Sequence, residues 1–97
     1  MTRPVEIAWT LNALEDLESL RLYLEEQAGR GLTLSEARRI WESTARLASF
    51  PASGRPGRVP DTRELVVPPY IIPYRVRDGR VEILDVFHSA QNWRLRR

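Results

Sequence analysis

The dipeptide Asp78-Gly79 constrains this chain more than any other feature. It separates two runs, Tyr70–Arg77 and Arg80–His88, that are rich in Val, Ile, Leu, Tyr and Phe. Both residues tolerate the positive φ of a type I′ turn, so the runs are expected to pair as an antiparallel hairpin. A two-residue loop sets the register: Arg77 faces Arg80, Val76 faces Val81, Arg75 faces Glu82 and Tyr74 faces Ile83. Alternation then sorts the side chains. Ile72, Tyr74, Val76, Val81, Ile83 and Phe87 fall on a core face. Arg75, Arg77, Arg80 and Glu82, followed by Leu84, Val86 and His88, fall on the opposite one. Asp85 breaks the pattern by landing on the core face, which requires a sheet margin or a polar partner. A third run, Arg63–Val67, precedes Pro68-Pro69 and reads as another strand of the same sheet.

Ninety-seven residues suffice for one domain, residues 1–97, with a single modest core. The chain has no cysteine, which rules out disulfides, thiolate metal sites and a cysteine nucleophile. It shows neither a signal-peptide pattern nor an apolar run of the roughly 20 residues that a membrane helix requires. A cytoplasmic protein without membrane association is expected. All 15 basic residues are arginine. Nine of them face five acids in Pro51–Arg97, against six and eight in Met1–Phe50. The C-terminal half is the basic one, suited by its guanidinium forks to phosphate or carboxylate.

Val5, Ile7 and Trp9 alternate with Glu6 and Ala8 as a short first strand would. Thr10 or Asn12 caps a helix carrying Leu14, Leu17, Arg21, Leu24 and Ala28 along one line, ended by Gly29-Arg30-Gly31. Thr33 and Glu36 have capping-box spacing for a second helix, whose Ala37, Ile40, Trp41, Thr44 and Leu47 repeat at helical intervals as far as Phe50. On these faces Trp9 and Trp41 read as core residues. Pro51–Pro60 reads as an exposed, mobile loop holding Arg55 and Arg58. Ser89–Arg97 is a basic tail with Trp93, either folded back on the protein or offering an arginine–aromatic contact. The order is β-α-α-β-β-β. This is an α+β fold, with a helical hairpin on one face of a small, mainly antiparallel sheet and an arginine-rich face left open.

These segments together resemble the RelE/ParE superfamily of bacterial type II toxin–antitoxin modules. The likeness is carried by a first strand ending in Trp9, a helix with Ala13, Asp16-Leu17 and Tyr23, then LASFP, SGRPGRVPDTRELVV, YIIPYRV and VEILDVFHSAQNW. It spans nearly the whole chain. It implies a toxin neutralised by a cognate antitoxin, possible assembly with that antitoxin as a heterotetramer or larger, and one of two activities. RelE-like members cleave messenger RNA on the ribosome, whereas ParE-like members poison DNA gyrase without enzymatic activity.

RNA cleavage through the 2′-OH needs a base, an acid and cations for the phosphorane charge. By resemblance, Arg63 corresponds to a phosphate-binding arginine and His88 to a histidine of family nucleases. His88 is the single histidine. With Arg58, Arg75, Arg77 and Arg80 on phosphate and Tyr74 or Trp93 as an aromatic contact, it would complete an arginine cradle with one proton-transfer group. The chain has no lysine for members that use one catalytically, and Ser89 stands where some nucleases carry an aromatic. Arg63 and His88 are therefore either catalytic or structural. Asp61, Glu64, Glu82 and Asp85 have no metal-site spacing, so neither metal nor cofactor is expected. The arginine face and His88 favour messenger RNA cleavage, with gyrase poisoning as the alternative.

Overall fold

A computed structural model of the chain describes residues 3–89; Trp93 and the tail arginines lie outside this range. In order, the elements are β1 (Glu6–Trp9), α1 (Leu11–Ala28), α2 (Arg30–Ala45) with a 3₁₀ turn at Arg46–Ala48, β2 (Arg55–Pro56), β3 (Arg63–Val67), β4 (Tyr70–Arg77), β5 (Arg80–Ile83) and β6 (Phe87–His88). The sheet runs β1-β5-β4-β3-β2, and β6 pairs with β4 beyond the end of β5. Only β1 against β5 is parallel. Both helices pack on the face carrying Ile72, Tyr74, Val81 and Ile83, where Ala13, Ile40 and Leu47 complete the buried core. The α+β architecture is the one the sequence implies.

The hairpin register follows the turn. All four expected pairs form, from Arg77↔Arg80 to Tyr74↔Ile83, with Asp78 at φ 52° and Gly79 at φ 74°. Val76 departs from its expected core position. The pairing of β3 with β4 stops at Arg63↔Tyr74, so Val76 has no strand neighbour on that side and is exposed, whereas Val81 opposite it is buried.

The helices begin where backbone geometry dictates. Thr10 caps α1 by accepting from the Ala13 N–H at 3.1 Å. Gly29, at φ 86°, makes the whole turn between the helices, so α2 starts three residues before the expected capping box. Thr33 is consequently interior and donates its hydroxyl to the Gly29 carbonyl at 2.9 Å. Glu36 turns instead to Arg39 and to the Tyr70 hydroxyl. Trp41 is not a core residue either. One ring face stacks on Trp9 with centroids 5.9 Å apart, and the side chain remains largely exposed.

The Pro51–Pro60 connector is tethered rather than loose at its base, and part of it forms β2. The fully buried Tyr74 donates its hydroxyl to the Pro51 carbonyl at 2.7 Å and accepts from the Gly54 N–H at 2.9 Å. Gly54 is obligatory for that approach, since a Cβ there would stand 2.6 Å from the Tyr74 ring. Tyr74→Phe should therefore cost about 1–3 kcal/mol, because a buried N–H and a carbonyl lose their partner together. Urea denaturation measures it; a loss below about 0.5 kcal/mol would show that this tether contributes little.

Candidate functional site

The expected third strand, Arg80–His88, is interrupted, and the interruption decides where the site residues lie. Between the pairs Tyr74↔Ile83 and Ile71↔Phe87, three residues (Leu84, Asp85 and Val86) stand against two (Ile72 and Pro73). One extra residue makes this a β-bulge, and beyond it every side chain changes face. Phe87 now shares the helix-free face with its partner Ile71. His88 pairs with Tyr70 on the face that the helices cover.

The interruption is held by the start of α1. Thr10 Oγ1 donates to the Ile83 carbonyl at 2.9 Å, Asn12 Nδ2 donates to Asp85 Oδ1, and Asp16 Oδ2 accepts the Val86 N–H at 3.0 Å. The buried Asp85 thus has the polar partner its position demands. Pro73 occupies the facing site. Its carbonyl accepts from Leu84 N at 2.9 Å, so its nitrogen, which carries no hydrogen, points to the same side, where an unbroken ladder would need a donor. Pro73 and Asp85 are the two sequence signals of the bulge.

The expected arginine cradle consequently does not assemble as one unit. Arg63 pairs with Tyr74, so it too lies on the helix-side face. Its Nη1 donates to the carbonyls of Ala52 and Gly54 at 3.1 and 2.8 Å, pinning the connector. Tyr74 is buried beside it and offers no stacking surface to a ligand. His88 meets Tyr70 edge-on, with ring centroids 6.1 Å apart. Around Tyr70 lies a second polar group on the helix side. The Tyr70 hydroxyl donates to Glu36 Oε1 at 2.8 Å, and the Arg39 guanidinium lies over the Tyr70 ring at 5.7 Å.

The helix-free face keeps Arg58, Arg75 and Arg77, which line a groove of about 640 Å³ together with Pro73, Leu84 and Phe87. Arg80 is beside it, paired with Glu6 at 3.3 Å. Arg75 Nε donates to Glu82 at 2.6 Å. That hydrogen bond, reinforced by the positive field of Arg77 and Arg80, holds the Glu82 carboxyl below the usual carboxylate range. The residue that composition and spacing alone do not reveal is Glu64. Its nearly buried carboxylate accepts from Arg55 at 2.9 Å, meets Arg58 Nε at 3.6 Å and also takes the Arg58 N–H. It is the anchor of the 57–62 turn. The face is therefore not simply basic, since Asp61, Glu64 and Asp85 line the same groove as the three arginines.

Residues 7–93 match the family described as the ParE toxin of type II toxin–antitoxin systems, parDE. The chain belongs to the ParE toxin family. Among relatives of this ParE-family toxin, Y4kP of Sinorhizobium fredii is 49% identical over 90 residues, covering 90% of this chain and 91% of that one. Toxin RelE2 of Caulobacter vibrioides is 35% identical over 89 residues, covering 89% and 97%. A solved chromosomal ParDE toxin–antitoxin system of P. aeruginosa superposes with TM-score 0.81 at 25% identity, over 90% of this chain and 98% of that one. The RelBE2 complex of Mycobacterium tuberculosis, at TM-score 0.65 and 24% identity, covers 88% and 98% and shares the fold. Among the described residues, no helix of the toxin is long and apolar enough to cross a membrane.

The Tyr70 cluster has a measurable signature. Burial, followed by the hydrogen bond to Glu36, pushes the Tyr70 hydroxyl up to about 12 from an ordinary 10.0. A raised folded-state value means that the neutral hydroxyl stabilises the fold fully below pH 10 and loses that contribution as pH climbs towards 12. Tyrosinate absorbance at alkaline pH should show a late step that Tyr70→Phe removes. Survival of that step in the variant would refute the assignment.

Proposed function

We propose that this toxin is held inactive by a cognate antitoxin and poisons DNA gyrase by binding it, without itself cutting nucleic acid. One observation carries the choice of mechanism: the bulge at Leu84–Val86 places His88 on the helix-covered face, away from Arg75 and Arg77. Transesterification through a 2′-OH needs its proton-transfer group and its phosphate cations around the same phosphorus. Here the single histidine packs on Tyr70, and Arg63 is engaged with backbone carbonyls. Guanidiniums alone do not supply a base near neutral pH, since they stay protonated. A tethered loop and a lined groove suit a surface that works by occupying its target. Of the two activities that the superfamily likeness implies, this favours the gyrase-directed one. The ParDE system is also the closer of the two structural neighbours described above.

Antitoxin-free toxin should inhibit supercoiling by purified gyrase and make cleaved DNA accumulate, while translating ribosomes keep their messages intact. His88→Ala should leave growth inhibition within about twofold of wild type, because the imidazole takes no part in binding the target. Messages cleaved by the wild type but spared by His88→Ala would overturn this reading in favour of ribosome-dependent messenger RNA cleavage.

A further inference from the structure

We propose that the groove beneath the 57–62 turn is the grip on the target, receiving an extended protein segment that offers one large apolar side chain beside a carboxylate. This rests on the binding mode proposed above and names the surface and the chemistry that would perform it. The floor of the groove is apolar, formed by Pro73, Leu84 and Phe87, and Val59 stands exposed at its lip. Such a floor selects a side chain rather than a sugar–phosphate chain.

The charges make the same choice. Glu64 and Asp85 also line the groove but are nearly or fully buried, each already accepting hydrogen bonds from the protein. The arginines reach outward instead. Arg75 meets Glu82 through Nε and is half-buried, and Arg77 is exposed and in no ion pair among the described residues. Two residues apart on one face of β4, the two arginines leave the strand at points about 7 Å apart. They suit a single carboxylate approaching from the rim, held by charge-assisted hydrogen bonds. A polyphosphate backbone would have to run successive charges over Asp61, Glu64 and Asp85, which repel it. Glu64 acts as a positioning residue here, because it fixes Arg58 and the turn that carries Val59.

The test titrates gyrase supercoiling with the wild-type toxin and with Arg75→Ala/Arg77→Ala. In parallel, a photo-crosslinking benzoylphenylalanine replaces Val59 or, as a control, the exposed Leu34 on α2. Half-inhibition should require roughly tenfold more of the double variant. Photolysis should join position 59, and not position 34, to a gyrase polypeptide. Equal inhibition by a folded double variant, or adducts from position 59 to DNA or to the antitoxin alone, would overturn the groove while leaving the gyrase reading in place. Should the double variant fail to fold, the crosslink decides. A wild-type toxin without effect on gyrase would overturn both.

Discussion

Three polar side chains at the start of α1 hold the interruption on which the arrangement of this toxin depends. Between Ile83 and Val86 the backbone leaves the regular ladder, and each N–H or carbonyl buried without a partner there would cost about 1–3 kcal/mol. Thr10, Asn12 and Asp16 meet that demand, so the first helix caps the broken strand as well as covering the core. Asp16 is buried within an otherwise leucine-rich helix for this purpose. Its acceptor does what a neighbouring strand would have done. The bulge that results is a switch of faces: one extra residue sends Phe87 to the groove and His88 to the helices.

What the sequence made legible was local. Asp78-Gly79 carries its geometry in two residues, so the register of β4 and β5 could be read to the last pair. The helical hairpin, its Thr10 cap and the superfamily likeness were equally open to inspection. The face of His88 was not, because alternation counted from the turn assumes an unbroken strand. Asp85 looked anomalous, yet the side chain that resolves the anomaly, Asn12, lies 73 positions away in the chain. Thr33 and Glu36 mimicked a capping box, but the turn at Gly29 had already started the helix. Trp41 obeyed helical spacing and still remained largely exposed, since periodicity places a residue on a side of the helix without saying how far the sheet extends beneath it. For Arg63 the sequence leaves a phosphate ligand and a loop-pinning residue equally open; in the structure its guanidinium donates to the Ala52 and Gly54 carbonyls.

The functional consequence is a division of labour between the two faces. The helix-side face spends its polar groups internally, with Tyr74 and Arg63 fixing the connector and Glu36 and Arg39 engaged around Tyr70. On the other face Glu64 and Asp85 are buried and Arg77 is exposed, beside an apolar lining of Pro73, Leu84 and Phe87. That is the profile on which a protein-binding groove is proposed. The helical hairpin adds exposed Leu22, Tyr23, Leu34 and Trp41, apolar side chains that a second partner is suited to cover.

The separation of His88 from the groove arginines is the point on which this account stands. Nuclear Overhauser contacts of the His88 ring protons test it most directly in solution. The account predicts contacts to the Tyr70 ring, together with a cross-strand backbone contact between Ile71 and Phe87. Contacts from His88 to the Arg75 side chain, with none to Tyr70, would mean an unbroken strand and a histidine on the arginine face, contradicting it.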